Sequence, residues 1–251
     1  MGNIIFVTAA SEIYGQGHYF RTLRIANAIC NLHKVLIFCD NTNAILDVNK
    51  NNIPVLPYDL NSSGLMFNEI ELNDDDLLWF DLPDDCYFFI SKFAGYKQKI
   101  VSINMFDNRT GPTYEQVSIH PCFRKAKKQI DHSNNVTFLM GSEYIIVPDE
   151  FFVEQDHEKE PCTVLISMGG ADPLGLTRRL ISALNNLDRE DLVFQVVLPK
   201  SLNKKEIYKT SKIRSFVKLY DFGSLDFSRA VRNSKYANIS GGITRYECIA
   251  A

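Results

Sequence analysis

Short apolar runs that end in glycine-rich turns recur along this chain, each followed by a segment of helical periodicity. Ile4–Thr8 runs into Gly15-Gln-Gly-His-Tyr-Phe-Arg21, Thr163–Ser167 into Met-Gly-Gly-Ala-Asp172, and Tyr236–Ile239 into Ser-Gly-Gly-Ile-Thr244. Strand, glycine turn and helix in that order form the unit of a parallel sheet with helices packed on its faces. Glycine lets the backbone pass close to a ligand, and the first amides of the following helix point at anything anionic.

The same rhythm continues between the turns. Further strands are expected at Val35–Phe38, Ile53–Leu56, Leu77–Phe80, Ile100–Ile103, Leu192–Leu198 and Phe216–Leu219. Helices are expected at 17–32, 42–51, 85–96, 174–187, 202–211, 225–233 and from Thr244 onward. The stretch from Phe106 to Phe138 is less regular. Glu154-Gln-Asp-His-Glu-Lys-Glu-Pro161 is polar and reads as a linker, or as a solvated loop within one domain. The expectation is two α/β domains, 1–153 and 162–251, facing a cleft, with the glycine turns at the carboxyl ends of strands where such sheets bind ligands. The chain stops about two turns into its last helix without a glycine stop or closing strand, so the second domain is expected to be the front part of a longer one.

Composition removes several classes. A net charge of −3 over 251 residues argues against general nucleic-acid binding, which needs a basic surface. The six cysteines contain no C-x-x-C pair and sit in apparent core segments, which reads as buried reduced thiols in a cytoplasmic protein. The five histidines form no i, i+4 pair and no cluster with cysteine, so no metal is expected. No apolar run is long enough to cross a membrane, and the leading run of about five residues is shorter than the roughly 7–15 of a signal-peptide core. Asn108-Arg-Thr110 and Asn135-Val-Thr137 match the glycosylation sequon by chance.

Several side chains at the turns are equipped for chemistry. His18, beside Gly15 and Gly17 at a helix start, is a candidate proton acceptor, or a ring that packs under the turn. Arg21, one helical turn on, can pair with a phosphate or with a carboxylate such as Asp81 or Asp107. Both acids follow strands and can alternatively bind sugar hydroxyls. The amides around Gly169 and Gly170 can hold a phosphate. Asp172 reads foremost as an N-cap with Pro173 at the first helical position. At Gly241 and Gly242, Thr244 and Glu247 read either as a capping box or as a phosphate hydroxyl donor and a carboxylate for a vicinal diol such as ribose.

Gly15-x-Gly-His-x-x-Arg21, Leu165-Ile-Ser-Met-Gly-Gly-Ala-Asp-Pro173 and Ser240-Gly-Gly-x-Thr-x-Tyr-Glu247 together resemble the UDP-sugar hydrolase family of the pseudaminic acid pathway. Phe138-Leu-Met-Gly-Ser-Glu-Tyr144, with Pro148 and Phe151, resembles the segment leading out of that family's first domain. The family is itself similar to GT-B glycosyltransferases that include the lipid II-forming N-acetylglucosaminyltransferase. The resemblance implies a GT-B fold, a UDP-sugar as the substrate, pyrophosphate on the Gly169–Gly170 and Gly241–Thr244 turns, and ribose on Glu247. It also implies that His18 activates water, or an acceptor hydroxyl, for inverting attack at the anomeric carbon without a metal or other cofactor. A non-catalytic sugar-nucleotide-binding domain is the third reading. Tyr19, Phe20 and Asp81-Leu-Pro83 depart from the family pattern and are expected to reshape the sugar site.

Overall fold

The structure is a computed structural model that describes residues 2–10, 15–41, 53–59, 71–103, 113–123, 127–131, 135–153, 160–188 and 191–251. The chain divides into two compact units, Met1–Ile146 and Val147–Ala251.

The first unit is built on an eight-stranded sheet. Its strands are β1 (Ile4–Thr8), β2 (Val35–Cys39), β3 (Val55–Pro57), β4 (Leu77–Asp81), β5 (Lys99–Ile103), β6 (Val117–Pro121), β7 (Lys127–Asp131) and β8 (Val136–Gly141). They lie in the order β3-β2-β1-β4-β5-β6-β8-β7. All pair in parallel except β7, which runs antiparallel to β8 at the edge. Helix α1 (Gly17–Ile29) buries Tyr19, Leu23 and Ala26 against Phe6, Ile37 and Cys39 on one face. The other face packs Ile5, Val7, Leu78 and Phe80 against Phe89, Ile90 and Phe93. Those last residues belong to a 3₁₀ segment, Asp84–Phe93, where periodicity predicts an α-helix. Packing on the sheet, with Phe93 5.2 Å from Phe80 ring to ring, overrides the local preference.

The second unit holds a four-stranded parallel sheet in the order β11-β10-β9-β12. Its strands are β9 (Glu160–Ser167), β10 (Val193–Val197), β11 (Val217–Tyr220) and β12 (Ser234–Ile239). Helix α2 (Leu176–Asn185) buries Ile181 and Leu184 on Ile166 and Val196. Helix α4 (Phe227–Asn233) places Ala230 and Val231 on the opposite face, against Leu165 and Val197. Adjacent residues of β9 and β10 thus serve opposite cores, the signature of a strand buried on both faces. Helices α3 (Lys204–Thr210) and α5 (Thr244–Ala250) complete the unit.

Three readings are corrected here. The unit boundary falls after Ile146 rather than at 153–162, because Phe151 is buried with Leu165, Val197 and Val231. Of the polar stretch read as a linker, 154–159 lies outside the described residues, while Glu160 and Pro161 already belong to β9. β6, β7 and β8 occupy the stretch read as irregular, with β7 at the sheet edge. The helix expected at 42–51, and Asp107, lie outside the described residues. Among the cysteines, Cys39 is buried but Cys162 is exposed on β9. Burial, with Asp40 alongside, pushes the Cys39 thiol up to about 12, which leaves it unreactive at neutral pH.

Helix α4 offers a local stability test. Asp226 accepts from the Arg229 amide at 3.0 Å and from Ser228 Oγ at 2.9 Å, and these bonds hold its carboxyl below the usual range. Asp226→Ala is expected to cost about 1 kcal/mol in denaturant unfolding, and Asp226→Asn only a fraction of that. Equal losses for both would remove the cap from the account.

Candidate functional site

In the first unit, β1 lies between β2 and β4, so the strand order reverses between β1 and β4. Open α/β sheets bind ligands at such a switch point, beyond the carboxyl ends of the strands. Thr8 and Asp81, the last residues of β1 and β4, pair across it. Gly15, at φ 71°, turns the chain there in a conformation that side-chain-bearing residues rarely adopt, and α1 starts at Gly17.

α1 presents His18, Arg21 and Thr22 to Asp81. Arg21 Nε donates to Oδ2 at 2.7 Å and Arg21 Nη2 to Oδ1 at 2.5 Å, a two-pronged grip on the carboxylate. Thr22 Oγ1 lies 3.5 Å from Oδ2. His18 Nδ1 is 2.7 Å from Oδ1. An ionised carboxylate only accepts, so Nδ1 carries the proton and donates. Arg21 Nη2, 3.3 Å from that nitrogen, is a second donor converging on the same oxygen. In the neutral ring Nε2 then keeps its lone pair.

Asp81 is fully buried, whereas the His18 side chain is 21% exposed. Burial pushes the Asp81 carboxyl up, but Arg21 and then His18 outweigh it and hold it below its ordinary value of 3.8. A buried anion thereby orients a partly exposed imidazole with its accepting nitrogen unused by the pair. Of the choices open in the sequence, Arg21 takes Asp81 as its partner. Tyr19 is fully buried in the core, so the bulk expected to reshape the site is absorbed by packing against Ile37 and Cys39.

The second unit has its own switch point, between β9 and β12. The two downstream glycine turns leave from these neighbouring strands and meet. Ser240 N donates to Ser167 O at 3.2 Å, and a Cβ on Gly169 would lie 3.6 Å from Ser240 Oγ. Gly169 has φ 80°. A Cβ on Gly170 would sit 3.0 Å from Phe222, so the backbone runs directly beneath that ring.

Two details differ from expectation. α2 begins at Leu176, with Gly175 in the capping position at φ 61°, and Pro173 lies outside the helix. Asp172 still satisfies the helix start, but from further back: Oδ1 accepts from the Leu176 amide at 2.9 Å and Oδ2 from the Thr177 amide at 2.8 Å. A carboxylate already fills the place an anion would take at α2. The capping box at Thr244 does not form. The position before α5 is Ile243, in helical conformation and without a side-chain cap. Glu247 is a buried carboxylate in the first turn, 7% exposed. Gly241, Gly242, Thr244 and Glu247 therefore stand together at the end of β12. Among the described residues, no three His, Cys, Asp or Glu side chains are grouped to hold a metal ion, and no helix is long and apolar enough to cross a membrane.

No protein-family model matches the chain. It is 23% identical over 98% of its length to a protein of Methanocaldococcus jannaschii named only Uncharacterized protein MJ1062, and spans about half (53%) of that relative. Among solved structures it is similar to MurG of Acinetobacter baumannii (TM-score 0.55, 15% identity, 99% of this chain and 76% of that one). It is also similar to a glycosyltransferase of Rickettsia africae (TM-score 0.58, 11% identity, 99% and 77%) and to the spinosyn rhamnosyltransferase SpnG (TM-score 0.57, 11% identity, 98% and 77%). Two α/β units with parallel sheets, superimposable on these enzymes over nearly the whole chain, give the protein the GT-B fold of glycosyltransferases.

Proposed function

We propose that this chain acts on a nucleotide-activated sugar, UDP-linked by its motifs, and that His18 removes the proton of the nucleophile that attacks the anomeric carbon. The observation that carries the reading is the buried Asp81 carboxylate, which holds Nδ1 of His18 at 2.7 Å and turns a proton-accepting nitrogen away from the pair at a sheet switch point. General-base help of this kind is worth about 10²–10⁴-fold. The paired turns at Gly169–Gly170 and Ser240–Thr244 are assigned the diphosphate, where fixed amide dipoles stabilise the departing nucleotide. Glu247 is assigned the ribose diol. Arg21 and Asp81 act through His18 and are positioning residues.

Two nucleophiles fit one base. Water makes the protein a nucleotide-sugar hydrolase, which the three motifs favour through their resemblance to the pseudaminic acid pathway enzyme. A hydroxyl makes it an inverting glycosyltransferase, which its similarity in fold to the Rickettsia africae glycosyltransferase and the rhamnosyltransferase SpnG favours. The test is a panel of UDP-sugars with UDP release followed with and without hydroxyl acceptors, beside calorimetric UDP binding. Release in water alone identifies the hydrolase, and release that waits for an acceptor identifies the transferase. Binding without release under any condition points to a sugar-nucleotide-binding domain. No binding of any nucleotide ends the reading.

A further inference from the structure

β1 ends at Thr8, and Ala9 and Ala10 carry the chain off the strand toward the first glycine turn while still buried. Backbone groups that leave a strand ladder without reaching water need other partners. Two side chains supply them here. Asp40, the residue after β2, accepts from the Ala10 amide through Oδ1 at 2.6 Å. Tyr58, the residue after β3, donates its hydroxyl to Thr8 O at 3.1 Å. Tyr58 is itself held: its amide donates to Cys39 O at 3.2 Å, and its ring lies 5.7 Å from that of Phe89.

The strand order gives these bonds a direction. β2 and β3 lie on one side of β1, and β4 lies on the other. Asp81, at the end of β4, holds His18 from that second side, while Asp40 and Tyr58 hold the end of β1 from the first. Ala10 also belongs to the buried cluster that takes Tyr19, the α1 residue next to His18. Interiors pack too closely for one member of such a cluster to shift alone. A backbone displaced at Ala10 therefore displaces Tyr19 and the first turn of α1 with it. The 2.7 Å contact between His18 Nδ1 and Asp81 does not survive about 1 Å of such travel.

We infer that Asp40, assisted by Tyr58, is a positioning residue for the reaction assigned to His18. The Asp40 carboxylate fixes the backbone at Ala10, and the packing of Ala10 with Tyr19 sets the reach of His18 to Asp81. The inference rests on the nucleotide-sugar reading for its effect on rate. Its effect on the His18 ring stands without any ligand.

The experiment compares the full chain as wild type, Asp40→Ala, Asp40→Asn and Tyr58→Phe, and repeats Asp40→Ala in a His18→Ala background. Three quantities are read: single-turnover UDP release from the UDP-sugar that wild type turns over fastest, UDP affinity by calorimetry, and the His18 ring tautomer by ¹⁵N NMR without ligand. Asp40→Ala is expected to slow release about tenfold or more, as for a small misplacement of a reacting group, with UDP affinity unchanged. Asp40→Asn keeps an oxygen for the Ala10 amide and should keep most of the rate. Tyr58→Phe keeps the ring on Phe89 and should slow release by about threefold, the worth of one neutral hydrogen bond. It carries the test if Asp40→Ala does not fold. In the His18→Ala background, Asp40→Ala should cost nothing further, because both act on one step. The wild-type ring should carry its proton on Nδ1, and Asp40→Ala should mix the two tautomers. An unchanged rate and tautomer in Asp40→Ala and Tyr58→Phe overturn the inference. So does an equal loss with and without His18, which makes Asp40 a structural residue only, and so does Asp40→Asn as slow as Asp40→Ala. A wild-type chain that binds no nucleotide ends the nucleotide-sugar reading instead, and the tautomer then decides the link from Asp40 to His18 by itself.

Discussion

Replacing His18 with alanine is expected to cut UDP release by about 10²–10⁴-fold while UDP affinity stays within a factor of about two. The rate falls because the lone pair on Nε2, turned away from Asp81, is the group assigned to take the nucleophile's proton. The affinity stays because the diphosphate is assigned to turns of the second unit and not to His18. Single-turnover release and calorimetry on the same preparation separate the two effects. A variant that turns over at the wild-type rate removes His18 from the mechanism. A variant that loses binding in step with rate makes His18 a ligand contact instead of a base.

The second large effect concerns stability. Asp81→Asn removes the carboxylate that grips the guanidinium of Arg21, which is almost wholly buried. Breaking a buried pair from one side costs about 3–5 kcal/mol, a large part of the roughly 5–15 kcal/mol that holds a domain folded. Denaturant unfolding at pH 7 measures this. Because the folded carboxyl titrates below its ordinary value of 3.8, the pair contributes fully above that value. The contribution disappears as pH falls through the lower, folded one. Wild type is therefore expected to lose stability on acidification below about pH 4, and Asp81→Asn to lose less over the same range. The double variant Arg21→Met with Asp81→Asn removes both charges and should recover much of the stability, since apolar replacement of a buried pair is often neutral. It should not recover turnover, because His18 loses the carboxylate that fixes its tautomer. A double variant that regains both would show that the pair supports the fold alone. Equal stability of wild type and Asp81→Asn at pH 7 would refute the burial argument.

Much of this protein is written locally. The apolar runs of β1, β2, β4, β5, β9 and β10 announce themselves because a strand buried on both faces needs hydrophobic residues on both. The glycine turns are legible because only glycine suits backbone such as that of Gly15 and Gly169. His18 and Arg21 are neighbours from spacing alone, three residues apart on one helix. β6 through β8 escape, since histidine, proline and lysine blur their periodicity and a pairing partner rather than an apolar face defines them.

What the sequence by itself determined is therefore the fold class, the strand–turn–helix rhythm and the short list of candidate residues, because burial and backbone conformation leave their mark residue by residue. Only the tertiary structure decided that Asp81, 60 positions from Arg21, orients His18 as well. It also decided that Asp172 caps α2 from outside the helix, that Thr244 caps nothing, and that the turns at Gly169 and Ser240 meet. The pairing of Asp81 with α1 and the meeting of the turns follow from strand order, and strand order is fixed by packing between segments far apart in the chain, for which no local pattern of residues carries a signal.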